Sequence, residues 1–372
     1  MSKPVKIGFV LLSRVESPMP STRIAALNIF PLLSESNILP TIIFEPKVPT
    51  ECPNVEGLEE RVFLEDIDVI VFQKVYGPSV EALAKLLSAS GIKTIFSVCD
   101  VVEAGMCFAT DATVVVTDYL KYLYPKELHD KIYVVHDGIE QPEIYKKSVR
   151  DSIFSPPDRM RAVIVTSASL GRLPGYLQRP DWLTITVVGR YSARRDRWQR
   201  FREARWNIFS QETLSHQLAA IGFYSNRGIV LEQWNPFSVY DILIASDIGI
   251  IPVYSNESDS ADAEWRVKSE NRLTMMMAIG LPVIAYPIPS YESVIVTGRN
   301  GFLAKSTREW SDYLWALRNP VLRKTIGDAA RLSVIDTYSK QEQARKFIEV
   351  ILRVLGRTLV SQRADEENIG ET

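Results

Sequence analysis

The feature that most constrains this chain is a series of unbroken apolar runs of strand length, separated by helix-patterned stretches. The first series comprises Lys6–Leu12, Thr41–Phe44, Asp68–Phe72, Thr94–Val98, Ala112–Val116 and Lys131–Val135. A strand with one wet face alternates apolar and polar residues, so unbroken apolar runs call for a parallel sheet covered on both faces. Helices fit between the runs. Ser21 or Thr22 caps one through Leu33, burying Ile24, Leu27 and Phe30/Pro31; another runs from Ser79 to Ser90 and ends at Gly91.

The pattern then restarts. Asp137 to Asp158 is polar, with Pro142, Pro156 and Pro157, and reads as an interdomain linker. Further strands follow at Ala162–Thr166, Leu183–Val188 (ending at Gly189), Gly228–Glu232 (leading to Trp234), Asp247–Pro252 and Leu281–Ala285. Asn235 with Pro236 starts a helix running to Ala245, and Ser269 caps one closed by Gly280. Later helices span Thr307–Arg318, Pro320–Thr337 and Lys340 to about Leu355. The expected organisation is an α/β domain over 1–140, a linker over 141–160, a second α/β domain over 161–338, a terminal helix over 339–357 and a frayed tail over 358–372. Two doubly wound domains facing each other would make a deep cleft at the carboxyl ends of their strands.

Composition narrows the function classes. Lys+Arg is 43 against Asp+Glu 45, a formal net charge of -2, which argues against general nucleic-acid binding. Cys52, Cys99 and Cys107 form no CxxC pair, and their odd count with no leader-like start suggests a reducing cytoplasm. No apolar stretch reaches the ~18–20 residues of a bilayer span; Met275–Tyr286 is broken by Gly280 and Pro282.

The most informative segment is 264–285. Lys268 stands just before a helix start, where first-turn N–H groups carry the positive end of the dipole, an arrangement suited to a diphosphate. Glu270 is close enough along the helix to accept ribose hydroxyls, with Asn271 and Arg272 beside it. A capped surface helix with solvated charges is the plainer reading.

This segment, with Asp247-Ile-Gly-Ile-Ile-Pro252 before it and Gly298-Arg-Asn-Gly-Phe302 after it, resembles the C-terminal domain of GT-B-fold glycosyltransferases, most like family 4. Ala278-Ile-Gly-Leu-Pro-Val-Ile-Ala285 matches that family's A-x-G-x-P-V-I-A strand, and Lys268 to Arg272 matches the K-S-x-N-R run of a subset. The resemblance is specific between 234 and 302 and weaker over the rest of 60–355. It implies two Rossmann-like domains facing a cleft, with a C-terminal helix crossing back to the N-terminal domain. It also implies transfer of a sugar from a nucleotide-sugar donor to a glycan or lipid-linked acceptor, with retention of configuration and no metal, in polysaccharide or lipopolysaccharide assembly. Two departures stand out. The family's paired glutamates fall on Val267 and Met275, and the Gly-rich loop after the first strand is absent, with Ser21, Thr22 and Arg23 there instead.

Other groups carry two readings each. Arg23 would clamp a phosphate or make a surface ion pair; Lys74, at a strand's carboxyl end, would touch acceptor or phosphate. Asp100 would orient hydroxyls or act as a base, or else cap the Val101–Cys107 segment. Ser167 to Arg172 follows a strand and resembles the family's entry loop, while Gly189-Arg190 ends a strand where nucleotide bases lie. His136 reads as a hydrogen-bonded structural residue. No HExxH or metal-ligand spacing appears, and Asp259 and Asp262 are not a DxD pair. Arg190–Arg205 holds seven arginines with Trp198, and Trp206 follows. A solvated helix is the simpler account; a membrane-surface contact serving a lipid-linked acceptor is the functional one. The competing functions are a nucleotide-sugar 2-epimerase and a non-catalytic nucleotide-sugar-binding protein with a degenerate site. A Rossmann dehydrogenase is disfavoured because no G-x-G-x-x-G follows a strand.

Overall fold

The computed structural model describes residues 3–146, 159–166, 180–211, 213–252 and 264–357. They form two units. One runs to Glu140 and takes in Val267–Ser269 and the chain from Tyr338; the other takes in the intervening residues from Gln141 to Thr337.

The first unit is built on β1 (Val5–Leu11), β2 (Ile38–Phe44), β3 (Val69–Gln73), β4 (Lys93–Val98), β5 (Ala112–Val115) and β6 (Ile132–Val134). All pairs are parallel, in the order β2-β1-β3-β4-β5-β6. Its helices are α1 (Phe30–Glu35), α2 (Leu58–Leu64), α3 (Pro78–Ala89), α4 (Ala104–Ala109) and α5 (Asp118–Tyr122). The apolar runs divide between two cores by the period of 2 of a strand. Ile7, Phe9, Leu11, Val69, Val71 and Ile95 enter one core, while Val10, Ile70, Phe72, Phe96 and Val98 enter the other. The second core is closed by Val80, Leu83, Ala84 and Leu87 of α3.

The second unit repeats the plan with β7 (Met160–Val165), β8 (Leu183–Gly189), β9 (Ile229–Gln233), β10 (Ile248–Ile251), β11 (Val283–Ala285) and β12 (Phe302–Leu303). These are again all parallel, in the order β12-β11-β10-β7-β8-β9. Its helices include α6 (Arg197–Phe209), α7 (Leu214–Ser225), α8 (Val239–Ala245), α9 (Asn271–Ile279), α10 (Thr307–Ala316) and α11 (Pro320–Val334). The last helix, α12 (Lys340–Val354), belongs to the first unit. Its Ala344, Phe347, Ile348 and Ile351 recur at helical spacing and lie in the core with Phe9 and Val71. Each large side chain so buried contributes about 1.5–3 kcal/mol.

Local corrections have physical causes. The single helix expected through Leu33 is three pieces: a short α-helical Pro20–Thr22, a π-helical Arg23–Leu27, and α1. Pro31 has no N–H for the Leu27 carbonyl and its ring would collide with it, so the ladder breaks before Phe30. Neither Ser21 nor Thr22 caps, and Leu27 is only half-buried. Asn235 accepts from the N–H groups of Phe237 and Ser238, but the regular helix starts at Val239. The expected linker begins inside a folded part: Asp137 is buried, and Glu140 takes the Arg23 guanidinium. Residues 147–158 and the tail 358–372 lie outside the described residues.

Gly327 on α11 sits against the end of α9, where a β-carbon would come 2.2 Å from the Gly280 carbonyl oxygen. Gly222 on α7 has nothing within 4 Å of that position. Gly327→Ala is therefore expected to destabilise by about 1–3 kcal/mol through overpacking. Gly222→Ala should stabilise by up to about 1 kcal/mol through helix propensity. Urea unfolding of the two variants beside the parent protein checks the opposite signs.

Candidate active site

Each sheet reverses its strand order once, between β1 and β3 in the first unit and between β7 and β10 in the second. Open parallel sheets bind ligands at the carboxyl ends of their strands at such a point. In the first unit three polar side chains converge there. The Ser13 hydroxyl donates to Thr22 Oγ1 at 2.8 Å, and Thr22 Oγ1 donates to Gln73 Oε1 at 2.9 Å. All three are buried, and Ser13 Oγ also accepts from the Met19 N–H. The network pins the loop after β1 to the end of β3 without a glycine-rich turn. It was not legible in the sequence because its members lie 9 and 51 residues apart.

Lys74 follows directly, with a left-handed backbone (φ 54°) that is uncommon for a residue with a β-carbon. Its Nζ lies 2.8 Å from Asp100 Oδ1 and 3.1 Å from Glu51 Oε1. The other Asp100 oxygen accepts from Lys268 Nζ at 3.0 Å. One carboxylate thus bridges two ammonium groups, and its side chain is 19% exposed. Burial works to raise the Asp100 pKa, but Lys268 and Lys74 outweigh it and lower it to about 2. Burial likewise opposes charge on Lys74, yet the neighbouring Cys99 and Asp100 hold its pKa above the ordinary lysine range. Next to this cluster the Ser269 hydroxyl donates to Asp137 Oδ2 at 2.6 Å. Glu51 and Asp137 were missed as site residues. Asp137 had a signal, since it stands just past β6; Glu51 had none.

One expectation for Asp100 is corrected: it does not cap a helix, because α4 begins at Ala104 with Glu103 at its cap position. The two ammonium groups beside it favour its ionised form. Arg23 is also corrected. Its Nε and one terminal nitrogen grip Glu140 at 2.7 and 2.9 Å, with both side chains about 15% exposed, so the fork is engaged within the protein. Asn28 donates to the same carboxylate at 2.9 Å. His136 has the structural place expected of it: Nδ1 meets the Val116 carbonyl at 2.9 Å, and the ring lies 4.9 Å from that of Tyr338.

Lys268 stands two residues before Glu270, the cap residue of α9. No side-chain hydrogen bond caps this helix and its first turn holds no acidic residue; the one carboxylate at its start is that of Glu270, at the cap position. Ser269, the expected cap, is turned to Asp137 instead. Glu270 is 1% exposed and lies near Arg272 and Tyr291, whose hydroxyl is pushed up by burial against the opposing charge of Arg272. That burial corrects the expectation that Glu270 faces a ribose. Asn271 and Arg272 are half-buried, and the Arg272 guanidinium lies 5.6 Å from the Trp265 ring centre. Val267 packs on the first unit's apolar core and Met275 is buried, so both positions that carry glutamates in the resembling family are apolar and packed.

In the second unit Gly189 ends β8, and its carbonyl accepts from the Trp234 N–H at 2.7 Å. A β-carbon on Gly189 would come 2.9 Å from the Thr166 carbonyl oxygen, so close strand approach accounts for the glycine. Trp234 is half-buried and Arg190 exposed. Ser167 and Arg172, as well as Asp259 and Asp262, lie outside the described residues. Among the described residues no group of three or more His, Cys, Asp or Glu is placed to hold a metal ion. Nor is any described helix long and apolar enough to cross a membrane.

The two Rossmann-like α/β units match the GT-B fold of solved glycosyltransferase structures over almost the whole chain. Sucrose-phosphate synthase from Thermosynechococcus elongatus matches with a TM-score of 0.68 at 10% identity, covering 95% of this chain and 99% of its own. Anabaena HepE, solved with UDP and glucose, matches with a TM-score of 0.64 at 13% identity, covering 93% and 99%. A glycosyltransferase from Rickettsia africae matches with a TM-score of 0.62 at 15% identity, covering 95% and 99%. No family model and no curated protein matches the sequence.

The Lys74–Asp100–Lys268 cluster sets a pH-dependent contribution to stability. The Asp100 pKa falls from 3.8 to about 2 on folding, so its stabilisation is complete above about pH 4 and is lost as pH drops through about 2. Asp100→Asn should cost roughly 2 kcal/mol at pH 7, and the deficit should shrink as the pH falls below about 4. Urea midpoints of variant and parent protein across that range check both size and sign.

Proposed function

We propose that this protein is a glycosyltransferase that moves a sugar from a nucleotide-sugar donor to a glycan or lipid-linked acceptor. The observation that carries the reading is Lys268, held by Asp100 directly ahead of the uncapped N-terminus of α9, in a fold shared with HepE, which was solved with UDP and glucose. A cation and a helix N-terminus together suit a diphosphate.

In the proposed reaction the bond from the anomeric carbon to the diphosphate breaks, and the diphosphate leaves with the electron pair. The acceptor hydroxyl oxygen forms the new bond and its proton passes to the departing phosphate. Lys268 and the first turn of α9 offset the charge that grows on the leaving group, so the reading requires no resident metal or cofactor. Asn271, Arg272, Gly189, Arg190 and Trp234 are the donor-binding candidates of the second unit. Lys74, with Asp100 positioning it, is the acceptor-side candidate. Arg23 supports the fold through Glu140. Retention of configuration follows from the same reading, since no side chain need act as a dedicated base. The setting is polysaccharide or lipopolysaccharide assembly, with the protein working at the cytoplasmic side.

A second reading has one observation in its favour. The packed, apolar Val267 and Met275 leave no carboxylates at the positions where the resembling family has them, which suits a protein that binds a nucleotide sugar without turning it over.

Release of nucleoside diphosphate from UDP-, GDP-, dTDP- and ADP-sugars, with and without simple glycan acceptors, separates the two. The transferase reading predicts acceptor-dependent release from one donor class. Lys268→Ala should lower it at least ~100-fold while the circular dichroism spectrum stays native. Release unchanged in Lys268→Ala would remove this residue from the site. Donor binding with no release on any acceptor would favour the non-catalytic protein.

A further inference from the structure

Helix α6 is amphipathic in the inverted sense. The side chains it turns towards its own unit are polar: Arg200 donates to the carbonyls of Ser192 and Leu231, Glu203 accepts from Ser192, and Asn207 donates to the Tyr224 hydroxyl. Its outward side carries Trp198, Phe201, Trp206 and Phe209. At 100° per residue these four fall within one face, interleaved with Arg202 and Arg205. The adjoining α7 turns out Leu214, Leu218 and Ile221, at positions i, i+4 and i+7. These seven apolar side chains are between 46% and 75% exposed. Scattered apolar residues on a surface are ordinary, but two helices in contact that each turn out a row of large apolar side chains are not.

The charge around this face has one dominant sign. Arg195, Arg197, Arg202 and Arg205 are exposed, and Arg194 pairs with Glu232 at 3.2 Å. The acidic residues of segment 194–205 are Asp196, which accepts from the Gln199 N–H at the start of α6, and Glu203, turned inward to Ser192. Arg202 meets the neutral Gln199 side chain, which leaves its charge uncompensated. A chain of net charge -2 thus concentrates arginines beside its exposed aromatics.

We propose that the outward face of α6 and α7 docks on an anionic lipid bilayer. Tryptophan suits the headgroup boundary, where its ring is buried and its N–H edge stays wet, and phenylalanine adds apolar area beneath it. Exposed arginines beside them add attraction to negatively charged lipid. A second copy of this chain fits less well, because a two-fold contact would bring the arginines against one another. Single-stranded nucleic acid fits less well because Leu214, Leu218 and Ile221 offer no ring for a base to stack on. The inference stands apart from the glycosyl-transfer reading, since it requires no turnover.

The test is co-sedimentation of the full chain with vesicles of phosphatidylcholine alone and of phosphatidylcholine mixed with phosphatidylglycerol. The expected result is at least ~10-fold better partition to the mixed vesicles, weakened by salt. Trp198→Ser with Trp206→Ser should lower that partition ~10-fold, and Arg202→Glu with Arg205→Glu should abolish the preference for anionic lipid. All four side chains are exposed, and native circular dichroism of both variants confirms folding. Equal partition to both vesicle types, or partition unchanged in both variants, overturns the proposal. So does a vesicle-free dimer that dissociates in the tryptophan variant, which assigns the face to a second copy. Binding of a single-stranded oligonucleotide without vesicle binding overturns it in favour of nucleic acid.

Discussion

One carboxylate holding two lysines organises the candidate site. Asp100 lies beyond the end of β4, Lys74 just beyond β3, and Lys268 just ahead of α9. Asp100 holds the two lysines at 2.8 and 3.0 Å and so fixes where both ammonium groups lie. The same ion pairs hold the Asp100 pKa below the ordinary carboxylate range against its burial. The left-handed backbone at Lys74 fits this arrangement, since it is a local strain at the end of a strand beside the sheet's reversal.

The fold was largely legible because parallel sheets leave a strong imprint. Unbroken apolar runs at Lys6–Leu12, Asp68–Phe72 and Thr94–Val98 had few alternatives, and each became a buried strand. What the pattern did not carry was local backbone competition. Pro31 broke an otherwise regular helix, and the cap of α9 fell on Glu270 because Ser269 found Asp137. The first is set within four residues, by Pro31 and the Leu27 carbonyl; the second depends on a partner 132 residues away. The site was legible in part for the same reason. Lys74 and Asp100 were picked out by their place after strands, but their mutual contact and the shared bond to Lys268, 168 residues away, were not. Arg23 stood in a phosphate-binding position by sequence and is gripped by Glu140, 117 residues on.

Two features set this chain apart from the pattern it resembles. Apolar Val267 and Met275 stand where paired glutamates are expected, and a hydrogen-bonded Ser13–Thr22–Gln73 network replaces a glycine-rich loop. Both changes move polar function away from the familiar positions. Lys268 with α9 and the Lys74–Asp100 pair are then left to carry the charge chemistry. The outward aromatic face of α6 and α7 belongs to the second unit, whereas Lys74, Asp100 and Lys268 belong to the first.

The central claim is that Lys268 and the N-terminus of α9 recognise a nucleoside diphosphate. Calorimetric titration of the purified protein with UDP, GDP, dTDP, ADP and CMP tests it most directly. The account predicts saturable binding of one nucleoside diphosphate, with no comparable heat from the monophosphate and none from any of them in Lys268→Ala. Heat unchanged in that variant, or no binding of any nucleotide to the parent protein, would contradict it and return α9 to an ordinary packed helix.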